Sequence, residues 1–230
     1  MTSISNPPSP QALTPPRGAA IAGVIFAVLM IIGLGLTRYA IRADVTKPGT
    51  WLIDSAHRNA IQVALGVVPF AGIAFLWFIG VVRSRLGEQE DKFFASVFLG
   101  SGLLFVATLF GAAAITGALV ESVAAGDISS ATYYFGRSMS DLLLNLFAMK
   151  MAGVFMFSTC TLGLRTAIVP LWVVYTGYAC SLLLLLVIAN WRWITLVFPI
   201  WMLLLSTQIL LAEFRSQDVR AVAAERHQAY

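Results

Sequence analysis

Long apolar runs alternate with short polar breaks along the chain, and the runs are of bilayer-crossing length. About 20 apolar residues traverse a hydrocarbon core. On that criterion the pattern predicts six transmembrane helices: Ala19–Thr37, Asn59–Val82, Phe93–Val120, Leu142–Leu164, Ile168–Ala189 and Ile194–Phe214. The third is long enough to tilt or to project past the headgroups. Only three residues, Arg165–Ala167, separate the fourth run from the fifth, and only four, Asn190–Trp193, separate the fifth from the sixth. Turns this tight make the last three helices consecutive antiparallel neighbours. The fold class expected is therefore all-α, a polytopic membrane helix bundle.

The polar segments divide the chain into a Pro-rich, disordered N-terminal tail at 1–18, a six-helix transmembrane domain at 19–214 and a polar C-terminal tail at 215–230. Five of the nine prolines fall in the first of these, which suits a polyproline-like tail. The run after it is longer than a signal-peptide core of about 7–15 residues and has no A-x-A site behind it, so it reads as a retained span. Two longer loops, Arg38–Arg58 and Glu121–Asp141, lie on one side of a six-span bundle, and each has the length for a short surface helix. The last residues, from Arg215, mix charge with alanine and read as a solvated continuation of the sixth helix. No internal duplication is detectable.

Composition reinforces the membrane reading. The 230 residues are 59% hydrophobic and 11% charged, against about 25% charged in soluble domains, and mean hydropathy is +0.83. The net charge of +4 reflects Lys and Arg flanking the spans and calls for no nucleic acid. With the N-terminus inside, eight cations fall on cytoplasmic segments (Arg17, Arg83, Arg85, Lys92, Arg165, Arg215, Arg220, Arg226) and six outside (Arg38, Arg42, Lys47, Arg58, Arg137, Arg192). That tally favours both termini in the cytoplasm, although Arg38 and Arg42 close behind the first span pull the other way. The cluster RSRLGEQEDK at Arg83–Lys92 reads as a solvated turn rather than a lipid or partner site.

Little catalytic chemistry is visible. The two histidines, His57 and His227, lie outside the runs, which excludes paired haem ligation within the bundle. No zinc, Walker or Cys-x-x-Cys pattern occurs. The LGSG at Leu99–Gly102 is like the serine motif of intramembrane proteases but has no histidine partner in any span. No catalytic residue, cofactor or metal is expected. Cys160 and Cys180 read as buried apolar side chains. Small residues four apart (Gly23/Ala27, Ala107/Gly111, Ala113/Gly117, Ala148/Ala152) are expected at helix contacts, and Pro69 and Pro199 at kinks.

One feature interrupts the pattern: Lys150, inside the run LLLNLFAMKMAGVFMF. A central lysine costs about 2.5–3.5 kcal/mol on insertion, which the surrounding Leu, Phe and Val offset by roughly 3–6 kcal/mol. The run therefore still inserts, with Asn145 adding a further penalty. An intramembrane cation is a functional candidate by default. Lys150, Glu121 and Asn145 form the candidate intramembrane polar site, with Glu121 the preferred counter-ion and Asp54 a second choice. Snorkelling or pairing is the structural alternative. The face beyond Lys150 (Gly153, Val154, Phe157, Thr161) is mostly apolar. Polar groups on the fifth run (Tyr175, Thr176, Tyr178, Ser181) and the sixth (Ser206, Thr207, Gln208) are able to pair across helices.

Two stretches, FIGVVRSRLGEQEDKFFASVFLGSGLLFVA and MKMAGVFMFSTCTLGLRTAIVPLW, resemble segments of a family of bacterial multi-pass membrane proteins, particularly of high-GC bacteria, that has no known activity. The resemblance implies a bacterial inner-membrane location and no reaction. Two functions then stand: a non-enzymatic scaffold or accessory component, whose partners are membrane lipids and a membrane protein or a second copy, or a small transporter or channel for a polar or anionic solute that uses Lys150.

Overall fold

The computed structural model describes residues 16–40, 55–85, 92–126, 128–166, 169–187 and 193–228. Among them there are helices and turns but no strand. The helices are α1 (Pro16–Ala40), α2 (Ser55–Arg85), α3 (Lys92–Ala125), α4 (Ser130–Leu142), a π-helical turn (Leu143–Ala148), α5 (Met149–Thr166), α6 (Leu171–Leu186) and α7 (Ile194–Gln228). α4, the π turn and α5 form one unbroken rod. Five rods are thus long and apolar enough to cross a membrane: α1, α2, α3, the α4–α5 rod and α7.

The fifth expected span, Ile168–Ala189, differs. Its helix has only 16 residues, about 24 Å at 1.5 Å per residue, against a core of about 30 Å. Hydropathy continues past Leu186, but the helix stops there and Val187 is extended, with ψ 116°. The second expected loop differs too. α3 runs to Ala125 and turns at Gly126, whose φ of 77° belongs to the left-handed region that glycine enters freely. Ser129 then caps α4, its hydroxyl accepting from the Thr132 N–H at 3.2 Å. Most of that loop is therefore the start of the fourth rod. The N-terminal tail as far as residue 15, the loop at 41–54 and most of RSRLGEQEDK lie outside the described residues. α1 begins at Pro16, three residues before the expected span. α7 carries on through the charged tail to Gln228, as expected of it.

Neighbouring rods run antiparallel. α1 lies against α2 and α7, fastened to α7 at both ends. The Arg17 guanidinium stacks on Phe214 at 5.2 Å. At the other end Arg38 covers the Trp193 ring at 5.2 Å and donates to the Thr195 hydroxyl. The bundle axis is filled with phenylalanine. Phe26 of α1, Phe75 of α2, Phe105 of α3, Phe155 of α5 and Phe198 of α7 are all fully buried, with ring centroids 4.7–6.1 Å apart in contacting pairs. Tilted and edge-on rings of this kind add about 0.5–1.5 kcal/mol per pair beyond burial.

Glycine sets the closest approaches. A Cβ on Gly102 would lie 2.5 Å from Ile79, and one on Gly72 2.4 Å from Phe110, so both hold α3 against α2. Gly102 belongs to LGSG, and the buried Ser101 beside it donates to the Val97 carbonyl at 2.6 Å. That motif is packing. Of the small-residue pairs, Ala27, Ala148 and Ala152 are buried and Gly23 faces Ser206, whereas Ala107 is exposed and makes no such seam.

Candidate functional site

Lys150 is on the first turn of α5, directly after the π turn, and its side chain reaches across to the end of α6. The ammonium donates to the carbonyls of Leu184 at 2.9 Å, Leu185 at 2.7 Å and Val187 at 2.9 Å. An ammonium has three protons, and here each has an acceptor. These acceptors are the groups a helix leaves without partners at its C-terminus. The Val187 N–H closes the final turn onto the Leu183 carbonyl at 3.0 Å, and Lys150 takes most of what remains. The C-terminal end of the helix dipole, about half a negative charge, faces the cation. A lone charge in an apolar run and a helix that stops short inside the bundle therefore satisfy each other.

The surrounding seam is built for that contact. Gly153, nearly one turn along α5, lets α6 come close: a Cβ there would meet Leu184 and Leu185 at 3.1–3.3 Å. Ser181 of α6, fully buried, donates to the Gly153 carbonyl at 2.8 Å. Further along, the Thr161 hydroxyl and the Tyr178 phenol share a hydrogen bond of 2.9 Å, and Phe157 packs edge-on to the same Tyr178 at 5.0 Å. A Cβ on Gly177 would come within 2.3 Å of Cys160 Sγ and 2.7 Å of Trp201 Nε1, so α5, α6 and α7 touch at a single bare backbone position. Cys160 is buried, Cys180 is half-buried, and both are free thiols.

The three residues expected to form one polar site are not brought together. Glu121 is exposed near the end of α3, and the bonds of Lys150 go to α6 carbonyls instead of to a carboxylate. Asn145 is half-buried in the π turn, one element before Lys150. Asp54 lies outside the described residues. On α7, Thr207 donates back to the Leu203 carbonyl, and the buried Ser206 hydroxyl has no hydrogen-bond partner among the described residues. Sequence reasoning missed the role of the α6 C-terminus, because main-chain carbonyls are the same in every sequence and only the fold says which ones lack a donor.

At one end of the bundle, α1, α2, α3 and the α4–α5 rod leave a narrow cleft lined by Thr37, Thr116, Ser140 and Asp141 at its mouth and by Leu34, Leu109 and Leu144 further in. Comparisons with known protein families, with curated proteins and with solved structures find no match to this chain.

Proposed function

We propose that the chain is a multi-pass membrane protein of the bacterial inner membrane that acts as a non-enzymatic scaffold or accessory component, with both termini cytoplasmic. The observation that carries this is the saturated ammonium of Lys150. A cation serving a passing anion needs free donors, and this one gives all three to α6. The phenylalanine-filled axis supports the same reading, since it offers no polar path between the two ends of the bundle. The bacterial membrane rests on the two familiar stretches, and the orientation on the cation tally. The end with Arg17, Arg83 and Arg165 is then the cytoplasmic one.

Thiol accessibility tests the proposal. With Cys160 and Cys180 replaced by alanine, single cysteines at Val154, Phe157 and Thr161 are expected to resist a membrane-impermeant thiol reagent in intact cells and in inverted vesicles. Labelling that runs continuously through the three positions would reveal water along the α5–α6 seam. The protein would then be a small transporter or channel for a polar solute, and the scaffold assignment would be lost.

A further inference from the structure

We propose that the cleft at Asp141 binds the head of a single-chain amphiphilic amine, a primary ammonium on an extended alkyl tail. The inference relies on the bilayer setting and on neither the scaffold nor the transport reading.

The first ground is the chemistry of the mouth, which is made entirely of acceptors. The Thr37 hydroxyl donates to the Gly33 carbonyl at 2.8 Å. The hydroxyls of Thr116 and Ser140, 2.8 Å apart, both lie within 3.0 Å of the Ala112 carbonyl, so their two protons are used inside that trio. What these groups present to the cleft is lone pairs. Asp141 adds a carboxylate that makes no hydrogen bond and no direct ion pair among the described residues, with the Arg137 charge one turn back on α4 the only one acting on it. Among the described residues no cationic side chain lines the cavity itself. Four acceptors and no donor select a ligand that brings protons and positive charge.

The second ground is the order of groups along the bundle. The polar mouth is at the end that carries Arg38, next to Thr37, and the apolar walls lead from it toward the middle: Met30 on α1, Val68 on α2, Leu109 on α3 and Leu144 in the π turn. A ligand that fits has its charge directly at the end of its tail. A phosphoglyceride does not fit, because its phosphate comes before its amine and would meet Asp141 as a like charge. The cavity of about 90 Å³ is also far below the roughly 300–1,000 Å³ of sites for bulky small molecules, which leaves room for the head and the first few carbons of one slender chain. The third ground is the π turn itself. It forms part of the wall, and single π turns within α-helices recur at functional sites.

The test uses the full-length protein in phosphatidylcholine nanodiscs and saturation binding of radiolabelled dodecylammonium, with dodecanol as the uncharged control. The expected result is saturable binding of the amine at about one per protein and none of the alcohol. Asp141→Asn, which removes the charge at an exposed position, should weaken amine binding about tenfold or more. Ala113→Leu, which fills the cleft, should abolish it, while Val63→Leu on the exposed side of α2 should leave it unchanged. No saturable binding, or equal affinity in Asp141→Asn with unchanged helical content, overturns the proposal. Exchanging a third of the phosphatidylcholine for phosphatidylethanolamine should not compete. Competition there would assign the cleft to an aminophospholipid and overturn the single-chain ligand.

Discussion

The Lys150 seam and the Asp141 cleft lie on the same long rod, one on each side of the π turn, and they treat a charge in opposite ways. At the seam every proton of the cation meets a carbonyl, the opposing helix is drawn in over Gly153, and no room remains. At the cleft the anion accepts no hydrogen bond from any described residue and feels only the charge of Arg137 one turn back on α4, the neighbouring hydroxyls have turned their protons inward, and a cavity remains. The sequence marks both positions alike, as an ionisable residue near or within an apolar run. What separates them is whether the fold supplies the complementary groups. Function is therefore to be sought at the unsatisfied charge, although the satisfied one sits deeper in its apolar run.

Perturbing each region should make that contrast measurable. Lys150→Met keeps the bulk of the side chain and strands three carbonyls at the end of α6, so it should destabilise the protein most, by about 3 kcal/mol. Reversible unfolding in mixed micelles followed by circular dichroism would show it, and a loss below 1 kcal/mol would remove the capping role. Gly177→Ala should cost about 1–3 kcal/mol through overpacking against Cys160 and Trp201. Adding Cys160→Ala should recover part of that loss, and strict additivity in the double-mutant cycle would mean that the two do not touch. Ser181→Ala, which removes the bond to the Gly153 carbonyl, should cost about 1 kcal/mol. Ser206→Ala should have the opposite sign. Its hydroxyl is buried against Gly23 without a partner, so its removal should stabilise by up to about 1 kcal/mol. Smallest of all, Asp141→Asn should shift stability by under about 0.5 kcal/mol, as expected for an exposed side chain that holds nothing in place.

Much of the fold was legible because hydropathy reports what must leave water. α1, α2, α3 and the apolar part of α7 lie within a few residues of the runs that predict them. α6 stops short of its apolar run, which hydropathy does not report, because an apolar segment is equally apolar in a helix and in extended backbone. Residue type alone cannot separate Leu186, which is helical, from Val187, which is not. The start of the fourth rod reads as a loop because Ser130–Asp141 mixes polar and aromatic residues. The serine cap at Ser129 and the glycine turn at Gly126 were the available signals for it. The phenylalanine axis draws one ring from each of five helices, and no local window contains more than a fraction of it. The partner of Lys150 was out of reach for the same reason, lying more than thirty residues away and belonging to the main chain.

The fastening of α1 to α7 has a consequence for how the protein is made. α1 leaves the ribosome well before its lateral neighbour α7, and its phenylalanine waits for a ring at position 198. At about 5–20 residues per second, Phe26 stays without Phe198 for about ten seconds or more. During that interval the growing chain has to be sheltered by the insertion machinery or by the α1–α2 hairpin alone. Truncation ahead of α7 would leave that flank of α1 bare, so the arrival of α7 is itself an assembly step.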